Sequence, residues 1–113
     1  MTDEELKQVP EISVENAEEW IEEKNPVIVD SRSNPAYQMA HIPGSINIPE
    51  EKLKEMIETG KPFSQNQTVL LVCPGGTKSK KFAALLQRDS FEAYSLEEGV
   101  TGWRNQGLDL IDN

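Results

Sequence analysis

The chain has 113 residues, 36% hydrophobic with 7 Gly and 7 Pro, which suits one globular domain over residues 1–113 with a core of roughly 12–110. No apolar run approaches the ~20 residues of a membrane span, and the start Met-Thr-Asp-Glu-Glu-Leu has neither the basic end nor the apolar core of a secretory signal, so a cytoplasmic protein off the membrane is expected. The net charge is −9, but residues 1–23 hold nine acids against Lys7, a net of −8, so the rest is near neutral and offers no basic face to nucleic acid.

The acidic start reads as a solvated first helix behind a frayed end. Ser13 stands as an N-cap, and Val14, Ala17 and Ile21 share one helical face through Lys24, where Asn25-Pro26 ends the segment; Trp20 lies beside that stripe. Val27-Ile-Val-Asp30 is a short apolar strand with a carboxylate at its carboxyl end, where open α/β sheets bind ligands. Ser31 to Ala40 is too polar for a core strand, Pro43-Gly44 marks a turn, and Ile46 with Ile48 makes a brief strand at most. Glu50 to Glu58 places Leu53, Met56 and Ile57 on one helical face, with Gly60 as the residue after its end. Thr68 to Val72 is apolar without alternation, as in a strand covered on both faces. From Lys78 the period changes: Phe82, Leu85 and Leu86 form a helical stripe. Ala93 to Leu96 is a further strand, Trp103 centres a short helix between glycines, and a frayed tail runs to Asn113. Strands alternating with helices predict an α/β layer fold, without internal repeats.

The chemistry is expected where the central strand stops, at the only cysteine, Cys73. Pro74, Gly75 and Gly76 permit a tight path with amides turned inward, and the helix dipole with Lys78, Lys80 and Lys81 adds positive potential. A thiolate of Cys73 in that cradle is a poised nucleophile. One cysteine makes no internal disulfide, and with one histidine it closes no tetrahedral zinc site unaided, so no metal and no cofactor is expected. Asp30 reads as a capping or loop-bracing group, Arg32 as either a structural ion pair or a contact to an anionic substrate, His41 as a turn residue, and Trp103 as core packing. Lys78 fits either a solvated first turn or donor binding.

Val29-Asp-Ser-Arg-Ser-Asn-Pro-Ala-Tyr37, His41-Ile-Pro-Gly-Ser-Ile-Asn-Ile-Pro49, Cys73 with Gly76 and Ser79, and Glu98-Gly-Val-Thr-Gly-Trp103 together resemble a single-domain rhodanese, over about Ile12 to Leu110. The resemblance implies a rhodanese-like α/β fold, a central, mainly parallel five-stranded sheet with helices on both faces. It implies a thiosulfate sulfurtransferase-like enzyme in which Cys73 carries a persulfide and the loop residues Gly75, Gly76, Thr77, Lys78 and Ser79, together with Arg32, bind substrate. Asp30, His41 and Trp103 would be structural support. The partners implied are a small sulfur donor such as thiosulfate and a protein or low-molecular-weight thiol acceptor. Four positions depart from the family pattern: Ala36 where an acid is usual, Ala40 in place of glycine, Lys78 in place of arginine, and Pro74, which has no N–H. The alternative is a non-catalytic rhodanese-like binding or regulatory module. Phosphatase chemistry on a related loop would need an arginine where Ser79 stands.

Overall fold

Thr68–Val72 carries side chains into two apolar clusters at once, and this decides the layering. Val69 and Leu71 point to one side with Leu53, Ile57, Phe82 and Leu86, while Leu70 and Val72 point to the other with Val14, Ala17, Val100 and Trp103. A strand that is apolar at every position therefore has a helical layer on each face. The computed structural model describes residues 3–60 and 63–112, and in them the elements run α1 (Asp3–Lys7), β1 (Glu11–Ile12), α2 (Val14–Lys24), β2 (Val27–Asp30), α3 (Asn34–Met39), β3 (Ile46–Asn47), α4 (Glu50–Glu58), β4 (Thr68–Val72), α5 (Thr77–Arg88), β5 (Glu92–Leu96) and α6 (Gly99–Asn105). The five strands form one sheet in the order β1-β5-β4-β2-β3, and every pairing is parallel. Helices α4 and α5 cover one face, and α2 and α6 the other.

The connections from β2 step outward to β3 and then return across to β4, so the chain changes direction between β2 and β4. At such a switch point the carboxyl ends of the two strands splay apart and leave a crevice. The register puts Asp30 beside Val72, which brings the end of β2 next to Cys73.

Several elements depart from the sequence expectation. The start is helical from Asp3 and packs on α5, and Val9 is buried in the core; Met1 and Thr2 lie outside the described residues. Ser13 stands at the N-cap position with extended backbone, yet its hydroxyl does not cap: Asn16 Nδ2 donates to it instead. The polar stretch after β2 contains a helix, α3, whose N-cap Ser33 accepts from the Ala36 amide. Ile48 is not in the third strand, which is Ile46–Asn47. On β5, Tyr94 meets Trp20 edge to face at 5.0 Å; partial burial first, then a hydrogen bond to Glu92 and its charge, raise the Tyr94 phenol above its ordinary value.

The tail is not frayed. Ile111 and His41 exchange two backbone hydrogen bonds of 2.8 Å, Trp103 Nε1 donates to the Asp109 carbonyl at 2.8 Å, and Leu108 and Leu110 pack on the second cluster; Asn113 lies outside the described residues. A buried indole N–H needs a partner, and the tail supplies it. Truncation before Leu108 is therefore expected to cost roughly 3 kcal/mol in urea unfolding, from two half-buried leucines and the lost hydrogen bonds. A frayed tail would leave the midpoint unchanged.

Candidate active site

Helix α5 has a glycine, Gly76 at φ 90°, in its N-cap position, so no side chain caps it there. Its first amides need an acceptor. Cys73 Sγ takes that place, accepting from Gly76 N at 3.1 Å and from Ser79 N at 3.3 Å. The sulfur thus sits at the positive end of a 12-residue helix, where negative charge is stabilised. Ser79 Oγ lies 3.3 Å from Sγ and 2.6 Å from Ser95 Oγ, and both serines are fully buried. As a thiol, Cys73 donates to Ser79; as a thiolate it accepts from Ser79, with Ser95 donating to Ser79 in turn.

The other side of the loop is fixed by backbone alone. The carbonyls of Cys73 and Pro74 accept from the amides of Val100 and Thr101, each at 3.0 Å. These bonds pin the first two residues of the loop to the start of α6. The approach is close enough to require glycine twice. A Cβ on Gly99, at φ 58°, would stand 2.2 Å from the Cys73 carbonyl oxygen and 2.7 Å from that of Pro74, and one on Gly76 would stand 2.7 Å from the Glu98 amide nitrogen.

Across the crevice, Asp30 is fully buried and grips Arg32. Its two carboxylate oxygens accept four hydrogen bonds from Arg32, one from the amide and three from the guanidinium, at 2.8–3.0 Å. Arg32 also donates to the Ala40 carbonyl at 2.6 Å. Asn47 Nδ2 bridges the carbonyls of Asp30 and Arg32, and the Ser31 amide and hydroxyl both donate to the Val72 carbonyl, tying this loop to the end of β4. Between the loops lies an open pocket of about 650 Å³, with Cys73 and Pro74 on one side, Ser31 and Arg32 on another, and Glu50, Glu51 and Lys78 at the mouth.

The structure thus brings Cys73, Arg32 and Lys78 to one crevice, with Gly76 and Ser79 holding the sulfur from behind. The amides that reach Sγ are those of Gly76 and Ser79; Gly75, Thr77 and Lys78 make no hydrogen bond to it among the described residues. Asp30 touches the crevice only through Arg32. His41 stacks on Tyr37 at 3.9 Å, its Nδ1 donating to the Tyr37 carbonyl at 2.8 Å, and Trp103, on α6, packs into the second apolar cluster; neither borders the pocket. Ser95, Ser31 and Asn47 escaped sequence reasoning, because a serine in a strand or an asparagine in a loop carries no signal until its partner across the fold is known. No group of three or more His, Cys, Asp or Glu among the described residues is placed to hold a metal ion, and no helix there is long and apolar enough to cross a membrane.

The rhodanese-like domain family matches residues 13–106, most of the chain. This chain belongs to the rhodanese-like family. The thiosulfate sulfurtransferase GlpE of Pseudoalteromonas translucida is 32% identical over 93 residues, which cover 81% of this chain and 86% of that protein. The tRNA uridine(34) hydroxylase of Buchnera aphidicola (strain Bp) is 27% identical over 94 residues, covering 79% of this chain but 30% of the hydroxylase, so the chain spans about three tenths of that relative. A rhodanese-related protein of Thermoplasma volcanium shares the fold with a TM-score of 0.79 at 21% identity, covering 92% of this chain and 99% of that one. The five-stranded parallel sheet with helices on both faces is thus the rhodanese-like fold.

The rhodanese-like loop here depends on the glycine contact with α6. Gly99→Ala is expected to lose about 2 to 5 kcal/mol, overpacking and a left-handed alanine combined. Gly107→Ala, at φ 77° with nothing within 4 Å of its Cβ, should lose only the backbone share, about 1 to 2 kcal/mol. Equal midpoint shifts in urea would remove the close contact from the account.

Proposed function

We propose that this chain is a sulfurtransferase that carries sulfane sulfur on Cys73 as a persulfide, moving it from thiosulfate or another persulfide donor to a thiophilic acceptor, cyanide or a thiol. The observation that carries the reading is the cysteine sulfur held by two amides at the start of α5, beside an open pocket. The name of a relative that this chain nearly spans, a thiosulfate sulfurtransferase, supports it.

In the first half-reaction the Cys73 thiolate attacks the outer sulfur of thiosulfate. The Sγ–S bond forms as the donor S–S bond breaks, and sulfite leaves with the electron pair. The outer sulfur of the persulfide then bears the negative charge. Preorganised amide donors aimed at it cost no reorganisation when that charge arrives, as with an oxyanion. The amides of Gly75, Thr77 and Lys78, which do not bond Sγ, are the ones left for the outer sulfur, and the Lys78 ammonium adds positive charge without a bidentate fork. In the second half-reaction cyanide attacks the outer sulfur, thiocyanate departs, and the thiolate returns. Asp30 and Arg32 hold the opposing loop in position. His41 and Trp103 act only through packing.

One observation favours the alternative, a rhodanese-like binding module: Cys73 is only 1% exposed. The pocket at its side answers this, since a donor sulfur is small and enters along that wall. Thiocyanate formation from thiosulfate and cyanide distinguishes the two. A sulfurtransferase shows ping-pong kinetics, parallel lines in double-reciprocal plots, and Cys73→Ala falls to the uncatalysed rate. A Cys73→Ala protein as active as its parent would sink the assignment. No transfer from thiosulfate, a mercaptopyruvate-like compound or a protein persulfide would leave the binding module as the better reading.

A further inference from the structure

The pocket beside Cys73 is both larger and more acidic than a thiosulfate site requires. Its volume of about 650 Å³ falls in the range that holds drug-sized ligands, and a five-atom anion fills a small part of it. Besides Cys73, four ionisable side chains line it: Arg32, Glu50, Glu51 and Lys78. The Arg32 charge is taken up by buried Asp30, its own side chain 9% exposed. Lys78 Nζ lies 3.4 Å from Glu50 Oε2, so the one lysine at the mouth is shared with a carboxylate. Glu51 is exposed and enters no ion pair among the described residues. With Asp30 counted, the site therefore carries one uncompensated negative charge before that of the Cys73 thiolate is added, in a chain whose net charge is already −9. Glu50 and Glu51 begin α4, where carboxylates suit the helix dipole, but the same positions also put them on the wall of the pocket that Cys73 lines.

We propose that Glu51, together with Glu50, selects the sulfur donor by charge, so that the pocket takes low-molecular-weight alkyl persulfides bearing a cationic ammonium group in preference to small dianions such as thiosulfate. The proposal rests on the sulfurtransferase reading and names its substrate class. The Cys73 thiolate attacks the outer sulfur of R–S–SH, the Sγ–S bond forms, the donor S–S bond breaks, and R–S⁻ leaves with the electron pair while the outer sulfur keeps its proton. The ammonium on R lies within the field of Glu51 throughout. One carboxylate about 8 Å from the charged tail changes the relative rates of reagents differing by two charges roughly two- to sixfold, more at low salt.

Charge selection can be read without any sulfur transfer. Two methanethiosulfonate reagents that differ in the tail, trimethylammonium-ethyl against sulfonatoethyl, are allowed to label Cys73 at low ionic strength, each rate divided by that with 2-mercaptoethanol. The cationic reagent is expected to be favoured about fivefold, and Glu51→Gln or added salt should bring the ratio close to one. Equal normalised rates in the parent, or a ratio unmoved by Glu51→Gln, overturn the proposal. As a second arm, cysteamine persulfide should exceed 3-mercaptopropionate persulfide in kcat/KM by a similar factor that Glu51→Gln abolishes; equal values overturn the proposal while leaving the sulfurtransferase reading intact. Charge-selective labelling with no persulfide formed from either donor would overturn the donor assignment together with the sulfurtransferase reading beneath it.

Discussion

Two backbone hydrogen bonds govern the site: those by which Val100 and Thr101 take the carbonyls of Cys73 and Pro74. They fix the first two residues of the loop against α6, from where the chain comes round to Gly76 and the start of α5, and the amides of Gly76 and Ser79 reach Cys73 Sγ. No charged side chain bonds the sulfur to make it an anion site. The cost is steric. The backbones of the loop and of α6 approach so closely that Gly76 and Gly99 have no room for a Cβ. Both glycines also take positive φ, which an L side chain resists.

This arrangement needs a frame that keeps α5 and α6 fixed on opposite faces of one strand. β4 provides it, since Leu71 and Val72, the last two residues before the loop, go to different cores. β5 contributes Ser95, whose hydroxyl reaches through to Ser79 and so couples the sulfur to the neighbouring strand. On the far side of the crevice the Asp30–Arg32 pair performs the matching task. Breaking a buried pair from one side leaves an uncompensated charge, so both partners hold the loop that faces Cys73. The pocket lies between two hydrogen-bonded loops, and Glu51 on its wall carries the charge left without an ion-pair partner among the described residues.

Much of this was legible in the sequence. β2, β4, α2, α4 and α5 each carry a periodicity that burial dictates, and the change of period at Cys73 located the loop. What could not be read depends on partners distant in the chain. β1 is two residues long and exists only because β5 lies beside it. The tail looked frayed because Ile111 has no local signal, and its hydrogen bonds go to His41. Ser13 had the right position for a cap, but its hydroxyl takes an Asn16 side-chain donor. At the site, Cys73 and the glycine turn were read from the loop itself and Ser79 from the family resemblance, whereas Ser95, Ser31 and the acidic side of Glu50 and Glu51 became visible only once the sheet order set them around the crevice.

The central claim is that Cys73 holds sulfur covalently between two half-reactions. Intact-protein mass spectrometry of the reduced protein after exposure to thiosulfate or an alkyl persulfide, beside a Cys73→Ala control, tests it most directly. The account predicts a gain of one sulfur atom on the parent alone, lost on adding cyanide as thiocyanate appears. An unchanged mass with every donor, or an equal gain on the Cys73→Ala protein, would contradict it.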